Sequence, residues 1–236
     1  EINKIKKNDL ISRLYWQKFQ LNKVAKNKCD IIFSPGGIYL SKHRPYVTMF
    51  QNLLVFDKHQ IKQEGLTFLR FKILLLTFFQ SYTFKNSNGL IYISENAKDY
   101  LLKNYVNVVN KLNSKTIPLG VDSNFDITKR IFNNYTKEKP FKLLYVSTIK
   151  SYKHQWNLID AVSILINNGY NVTLDLLGGG DKKFIKKIYR AIARLGKNKN
   201  KVHFHGKVDR KKVKQFYESS DLLVFPSSCE NCPSII

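Results

Sequence analysis

Residues 171–180 read NVTLDLLGGG, an apolar run that ends in three glycines. A short run of this kind, rich in Val and Leu, predicts a strand that is buried on both faces. Similar apolar runs recur at residues 141–147, 202–205 and 222–225. The stretches between them have helical periodicity, at residues 153–168, 181–195 and 209–219. Because strands that alternate with helices form parallel sheets with right-handed crossovers, we predict an α/β fold.

The first part of the chain shows the same alternation less regularly. Apolar runs predict strands at residues 30–33, 46–50, 90–94 and 115–118. Apolar or amphipathic stretches predict helices at residues 9–28, 66–84 and 95–109. Residues 126–140 are polar and rich in Lys and Asn, which is typical of a linker. We therefore predict two Rossmann-like lobes with parallel sheets, at residues 1–127 and 141–236, joined by a linker at 128–140.

The composition excludes several classes of protein. Of 236 residues, 43% are hydrophobic and 13% aromatic, which is enough to bury a sizeable core. Three cysteines are too few for a disulfide scaffold, so we expect a reducing compartment. The first ten residues lack the apolar stretch of a signal peptide. Because the sequence starts with Glu1 and ends in an apolar run, we expect a fragment in which both lobes are incomplete.

The charge is strongly positive. Forty Lys and Arg against 17 Asp and Glu give a net charge of +23, which is spread along the chain. This favours contact with a polyanion such as an anionic membrane, a nucleotide or nucleic acid, and a solvated basic surface explains any single Lys cluster equally well. Within the apolar stretch 66–84, Arg70 and Lys72 argue against a membrane-spanning helix. Two alternatives remain for it, a helix lying on a bilayer surface or, favoured, a core helix whose cations reach water.

Several unusual residues follow the predicted strands, where ligands of such sheets bind. Gly178–Gly180 would suit a phosphate, or would only make a tight turn. Lys153 would hold a diphosphate, or would only be a solvated lysine; the diphosphate contact is favoured, because a lysine in a first helical turn is slightly unfavourable against the helix dipole. Glu230 would accept sugar hydroxyls, or would only place a charge near a helix N-terminus.

We predict no metal site. Cys229 and Cys232 form a lone Cys-x-x-Cys without a second pair of zinc ligands. His203 and His205 lie on one face of a predicted strand, where packing or hydrogen bonding is favoured over metal binding. The chain also lacks a P-loop lysine motif and a Gly-x-Ser-x-Gly motif, so phosphoryl transfer and hydrolysis have no support from these motifs.

A fixed order of seven short stretches carries a family resemblance: Ser34–Gly37, Gly89–Lys98, Ile117–Asp122, Leu144–His154, Leu177–Gly180, Val202–Val208 and Ser220–Pro233. Together they resemble the family 4 glycosyltransferases (glycosyl transferase group 1), which are retaining, metal-independent enzymes of the GT-B fold. The family's Glu-x7-Glu signature would start at Glu230 and place its second Glu at position 238, beyond the sequence. Thr148 stands where the family usually has an Arg, and Leu119 where it usually has a His.

The resemblance implies roles for individual residues. Lys153 corresponds to the lysine that contacts the donor diphosphate, and Glu230 to the glutamate that contacts the donor sugar; these two are the expected catalytic residues. The other residues expected to bind the donor are Ser147, Thr148, Lys150, Gly178, Gly180, Lys207, Val208, Ser234 and Ile235. Those expected to face the acceptor are Gly36, Gly37, Gln51 and Asn52.

The resemblance also implies an activity. A sugar would move from a nucleotide-sugar donor to a glycan or lipid-linked acceptor with retention, in cell-surface polysaccharide or lipopolysaccharide synthesis. We expect no metal or cofactor, no nucleic-acid partner, and a cytoplasmic location that is peripheral on the inner face of the membrane. The fragment alone is expected to be inactive. Two alternatives stay open, a non-catalytic basic module that binds RNA or another polyanion, and a GT-B epimerase or phosphorylase.

Overall fold

The computed structural model describes residues 10–63, 65–109, 113–120 and 138–233. The chain divides into two compact units. The first unit comprises Glu1–Leu119 with Glu230–Cys232, and the second comprises Gly120–Cys229 with Pro233–Ile236. The linker predicted at 128–140 stays a prediction, because most of it lies outside the described residues.

The first unit is built on a parallel sheet with the strand order β1-β2-β3-β4. Its strands are β1 (Ile32–Ser34), β2 (Tyr46–Phe50), β3 (Gly89–Tyr92) and β4 (Ser114–Thr116). Its helices are α1 (Leu10–Phe19), α2 (Leu21–Ala25), α3 (Lys58–Gln63), α4 (Phe68–Lys85), α5 (Glu95–Asn104) and α6 (Val106–Val109). Phe50, Phe56 and Phe84 pack with ring centroids 5.3–5.9 Å apart, which gives this unit an aromatic core.

The second unit has a parallel sheet with the strand order β7-β6-β5-β8. Its strands are β5 (Phe141–Val146), β6 (Val172–Leu177), β7 (Val202–Gly206) and β8 (Leu222–Leu223). Its helices are α7 (Gln155–Asn167), α8 (Lys182–Arg194) and α9 (Arg210–Ser219). The alternation of strands and helices that the sequence predicts is therefore confirmed.

The cores form for the reasons that the sequence pattern gives. In β6, Val172, Leu174 and Leu176 are buried and alternate with half-buried positions. In α8, the apolar residues recur every three or four positions, so that Ile188 and Ala191 face inward beside the buried strand residues. The lysines and arginines of this helix are left on its outer side.

Several predicted boundaries are wrong. The helix predicted at 153–168 begins only at Gln155, because Ser151–Lys153 forms a 3-10 turn and His154 adopts a left-handed conformation with φ of +54°. The helix predicted at 95–109 divides into α5 and α6, and the one at 9–28 into α1 and α2. The strand predicted at 222–225 pairs only over Leu222–Leu223.

Within the part of the chain that the structure describes, no helix combines the length and the apolar character needed to cross a membrane. The helix α4, which contains Arg70 and Lys72, packs Ile73, Thr83 and Phe84 into the core. One side of α4 therefore packs into the core of the first unit.

Candidate functional site

The loops that follow β5 and β6 run side by side beyond the sheet. The backbone N–H of Ser147 donates to the carbonyl of Leu177 (3.0 Å), and that of Ile149 donates to Gly179 (2.9 Å). A side chain at Gly178, where φ is +138°, would collide with the carbonyl group of Ser147. A Cβ at Gly180 would lie 2.5 Å from the carbonyl oxygen of Ile149. Gly178 and Gly180 are thus required by the close approach of two backbones.

The end of β7 joins the same edge. The N–H of Gly178 donates to the carbonyl of Gly206 (2.7 Å), and Gly206 has a positive φ of +66°. The side chain of Lys207 begins beside Gly179, where it would be 3.5 Å from a Cβ. The structure therefore brings together Ser147, Gly178–Gly180 and Lys207, which the sequence places far apart, and Val208 follows directly.

Lys153 is held in place by packing. Lys153 is the last residue of the 3-10 turn and is only 8% exposed. Its ammonium group lies 4.7 Å from the centre of the Phe225 ring and 5.4 Å from that of Tyr152. The hydroxyl of buried Tyr145 donates to the Lys153 carbonyl (2.9 Å). An ammonium that is fixed in this way and partly desolvated attracts an anion far more strongly than a solvated one.

The loop after β8 is tied to the turn that carries Lys153. The N–H of Ser228 and the hydroxyl of Ser227 both donate to the carbonyl of Tyr152, at 3.0 and 3.2 Å. The Nε2 atom of His154 lies 2.9 Å from the hydroxyl of Ser228. No role for His154 or Ser228 could be inferred from the sequence, because only the folded chain brings them together.

The segment around Thr148 is fixed by its backbone. Gln155 is almost completely buried, and its Nε2 donates to the Thr148 carbonyl (3.0 Å), whereas the Thr148 side chain is exposed. Lys150 pairs with Asp181 at 3.7 Å, with both side chains about half exposed. An exposed pair of this kind is weak, so Lys150 can exchange Asp181 for another anion.

The segment Glu230–Cys232 is grouped with the first unit. The amide Nδ2 of Asn231 donates to the carbonyl of Phe50 at the end of β2 (3.0 Å). The hydroxyl of Ser94, which caps α5 by accepting from Ala97, donates to the carbonyl of Asn231 (2.7 Å). Asn231 therefore anchors the half-buried Glu230 segment at the carboxyl ends of two strands of the first sheet. No signal in the sequence pointed to Asn231.

The residues expected on the acceptor side follow neighbouring strands of the first sheet. Gly37 has a positive φ of +71°, and a Cβ there would lie 3.0 Å from the amide group of Gln80. A Cβ at Gly36 would meet nothing within 4 Å. Gln51 and Asn52 follow β2 and are exposed, and the Asn52 side chain accepts from the N–H of Leu54 (3.2 Å). Parallel β1 and β2 place these two groups at the same edge of the sheet.

Three further expectations concern histidine, metal and the chain end. The Nε2 atom of His205 lies 2.6 Å from an oxygen of Asp175, which supports hydrogen bonding for this histidine. Among the described residues, no three His, Cys, Asp or Glu side chains are grouped closely enough to hold a metal ion. Ser234 and Ile235 lie outside the described residues.

Comparison with known proteins identifies relatives of this fold. Residues 126–236 match the family model of glycosyl transferases group 1. The chain is 29% identical over 176 residues to Protein CapJ of Staphylococcus aureus, which covers 73% of this chain and 41% of that protein. The chain thus spans about two fifths of the curated relative that it matches.

Two solved structures show the same architecture. WaaG, a glycosyltransferase involved in lipopolysaccharide biosynthesis, matches with a TM-score of 0.61 at 17% identity, over 88% of this chain and 56% of that chain. HepE of Anabaena, solved in complex with UDP, matches with a TM-score of 0.58 at 18% identity and the same coverage. At such low sequence identity, the structural likeness shows the fold alone. The chain therefore has the GT-B type of architecture, with two Rossmann-like units, and its residues 126–236 match the family model of glycosyl transferases group 1.

Proposed function

We propose that this protein transfers a sugar from a nucleotide-sugar donor to a glycan or lipid-linked acceptor, with retention at the anomeric carbon. The observation that carries the proposal is the grouping of Ser147, Gly178–Gly180 and Lys207 at one edge of the second sheet, with buried Lys153 on the turn that follows Ser147. A protein of the same fold, HepE, was solved with UDP and with UDP-glucose.

The donor diphosphate needs cations and N–H groups that are already in position when the glycosidic bond breaks. Negative charge develops on the leaving diphosphate, and preorganised charge stabilises it most. Lys153 supplies the cation, and its packing on Phe225 means that little reorganisation is needed. Gly178 and Gly180 would border the diphosphate, while their missing side chains make room for the backbones of Ser147 and Ile149.

The remaining donor contacts are those that the family resemblance implies. Lys207 and Val208 would border the nucleobase, and Glu230 would accept hydroxyl groups of the sugar. Thr148 and Lys150 would lie near the phosphates, and the backbone N–H groups of Ser234 and Ile235 would bind the distal phosphate. No metal ion or organic cofactor is needed in this scheme.

Retention requires no protein nucleophile in the proposed reaction. The acceptor oxygen bonds to the anomeric carbon on the face from which the phosphate oxygen departs. The acceptor's proton passes to an oxygen of the leaving phosphate, so charge and atoms balance. The acceptor would enter past Gly36, Gly37, Gln51 and Asn52. Because WaaG acts in lipopolysaccharide biosynthesis, we propose an acceptor from cell-surface polysaccharide or lipopolysaccharide synthesis, used in the cytoplasm at the inner face of the membrane.

Titration calorimetry with nucleoside diphosphates tests the donor site. We expect one of UDP, GDP or ADP to bind, and Lys153→Met to weaken that binding about tenfold or more, because a desolvated charge contact is lost. Lys183→Met is the matched control, since Lys183 also lies over a ring, that of Phe184 at 4.7 Å, but on α8. Equal losses in the two variants, or binding of none of these nucleotides, would contradict the proposal.

One observation favours a second candidate, a basic module that binds RNA. The helix α8 carries six basic residues and no acidic one: Lys182, Lys183, Lys186, Lys187, Arg190 and Arg194. This candidate predicts binding to single-stranded RNA that falls steeply with salt and does not change in Glu230→Ala. Strong nucleotide binding that depends on Lys153, with weak RNA binding, decides for the transferase.

A further inference from the structure

The side of α4 that faces away from the core is apolar. Five large side chains, spaced three and four residues apart, form one stripe on this side: Phe68, Phe71, Leu75, Phe78 and Tyr82. Their exposed fractions range from 46% for Leu75 to 83% for Phe68. The buried residues Ile73, Gln80 and Phe84 lie on the opposite side of the helix. We call these five residues the α4 stripe.

The α4 stripe is too large to be an ordinary surface feature. Single exposed apolar residues are common, but here five follow one another over about 21 Å of helix, at 1.5 Å per residue. Leu74 is also half exposed, and Leu66, just before the helix, is 99% exposed. A continuous apolar patch of this extent on a folded protein marks a surface that is covered by something else.

The charges on α4 indicate what covers the stripe. The helix contains Arg70, Lys72 and Lys85 and no acidic residue. If two copies of this chain met through their stripes, these cations would repel each other. An anionic lipid surface complements them, and it also accepts apolar side chains below its headgroups.

The kinds of side chain in the stripe agree with a lipid surface. Phe and Tyr rings are suited to the boundary between headgroups and acyl chains, and the stems of Arg70 and Lys72 let their charges reach the headgroups. In the described structure α4 is not a membrane-crossing helix, and its other side is packed into the core of the first unit. A helix in this position can lie in the plane of a membrane without unfolding.

We propose that the α4 stripe docks the protein on an anionic lipid bilayer, with α4 parallel to the membrane plane and its rings inserted at the interface. The docking needs no sugar donor, so it stands or falls separately from the transferase function. It names the surface through which the protein would be held at the inner face of the membrane.

Vesicle co-sedimentation tests the docking. The chain is mixed with vesicles of phosphatidylcholine containing about one third phosphatidylglycerol, and with vesicles of phosphatidylcholine alone. We expect binding to the anionic vesicles, and a loss of about tenfold or more in the partition coefficient for the double variant Phe71→Gln/Phe78→Gln. The matched control is Ile164→Gln/Tyr170→Gln, which removes two equally exposed apolar side chains, 62% and 61%, from the second unit. The control should bind like the original chain.

Two further variants separate charge from insertion. Arg70→Gln/Lys72→Gln should lower binding to anionic vesicles and leave the weak binding to neutral vesicles unchanged. Phe78→Trp places an indole in the stripe, and lipids brominated near the headgroup should quench this indole more strongly than Trp156 of the second unit. Equal quenching of both would overturn the proposed orientation.

Other outcomes overturn the docking itself. If the chain ignores anionic vesicles, or if the control loses as much binding as the stripe variant, the stripe is not a membrane surface. If sedimentation analysis instead shows a dimer that Phe71→Gln/Phe78→Gln dissociates, the stripe joins two copies. Calorimetry with the nucleotide that the original chain binds should give the same affinity in the stripe variant, which separates a failed docking from a failed donor site.

Discussion

The two units have similar parallel sheets, but one helix of each unit, α8 in the second and α4 in the first, differs in the character of its outward side. In the second unit, α8 turns Ile188 and Ala191 inward and leaves its Lys and Arg residues outside, so this helix presents a mainly charged surface. In the first unit, α4 buries Ile73 and Phe84 and still leaves five large apolar side chains outside. The outer side of α8 is therefore mainly charged, although its Tyr189 is 58% exposed, whereas the outer side of α4 is mainly apolar.

The glycines that follow the strands also differ between the two units. Gly178 and Gly180 are enforced by the adjacent backbones of Ser147 and Ile149, while Gly36 of the first unit has open space around it. A glycine-rich loop alone therefore does not identify a binding site. At Gly178 and Gly180 the packing of neighbouring backbones is enough to explain the glycines, and their role in binding a phosphate stays a proposal.

The largest expected effect is the loss of stability that Gly178→Ala causes in the second unit. Gly178→Ala combines an unfavourable φ with a collision against Ser147, and we expect it to lower the free energy of unfolding by about 4 kcal/mol. Gly36→Ala should change it by less than about 0.5 kcal/mol. Urea denaturation can follow each unit separately, because Trp16 lies in the first unit and Trp156 in the second. Equal effects of the two variants would refute the contrast between the loops.

Alkaline pH should weaken the first unit more than the second. Burial raises the pKa of Tyr46 and that of Tyr92 to about 12, and both belong to the first unit. An unfolded tyrosine ionises near pH 10, so the stability from keeping these groups neutral is complete below about pH 10 and is lost as the pH rises towards 12. We expect a loss of roughly 2 kcal/mol for each tyrosine at the end of this range.

Urea denaturation at a series of pH values, read from Trp16 and Trp156, measures this difference. In the second unit, burial also raises the pKa of Tyr217, so some loss is expected there. Tyr92→Phe should remove part of the pH dependence seen by Trp16 and leave that of Trp156 unchanged. If Trp156 reported the greater loss, the proposed difference between the units would be wrong.

A pair of buried tyrosines sharpens the comparison. The hydroxyl of Tyr46 donates to the carbonyl of Thr83 (2.6 Å), and that of Tyr145 donates to the carbonyl of Lys153 (2.9 Å). Each Tyr→Phe substitution should cost about 1 kcal/mol of unfolding free energy. Only Tyr145→Phe should also weaken nucleotide binding in calorimetry, because it loosens the Lys153 turn. Weaker nucleotide binding in Tyr46→Phe would count against this separation.

The smallest expected effect concerns surface ion pairs. Arg194 and Asp160 of the second unit approach to 2.6 Å, and Lys98 and Glu95 of the first to 3.3 Å, with all four side chains well exposed. Double-mutant cycles should give coupling energies of about 0.5 kcal/mol or less for both pairs, falling with added salt. A coupling above about 1 kcal/mol in either unit would show that its surface charges are less screened than their exposure implies.

Most strands were predictable because each one is a local pattern. The runs 46–50 and 171–177 are apolar and bounded by turn residues, and the structure has strands there at Tyr46–Phe50 and Val172–Leu177. Helix boundaries were less predictable. Nothing local shows that His154 adopts a left-handed backbone, since that conformation accompanies the contacts of the Lys153 turn with Tyr145 and Ser228.

The sequence by itself determined the α/β alternation, the parallel sheets and the positions along the chain where polar residues follow strands. These features depend on periodicity and turn chemistry, which act over a few residues. The tertiary structure alone decided that Lys153 is buried against Phe225, that Asn231 anchors the Glu230 segment and that the α4 stripe faces outward. These features depend on which distant segments meet, because burial and hydrogen bonding are set by the packed neighbours and not by the residue's own sequence context.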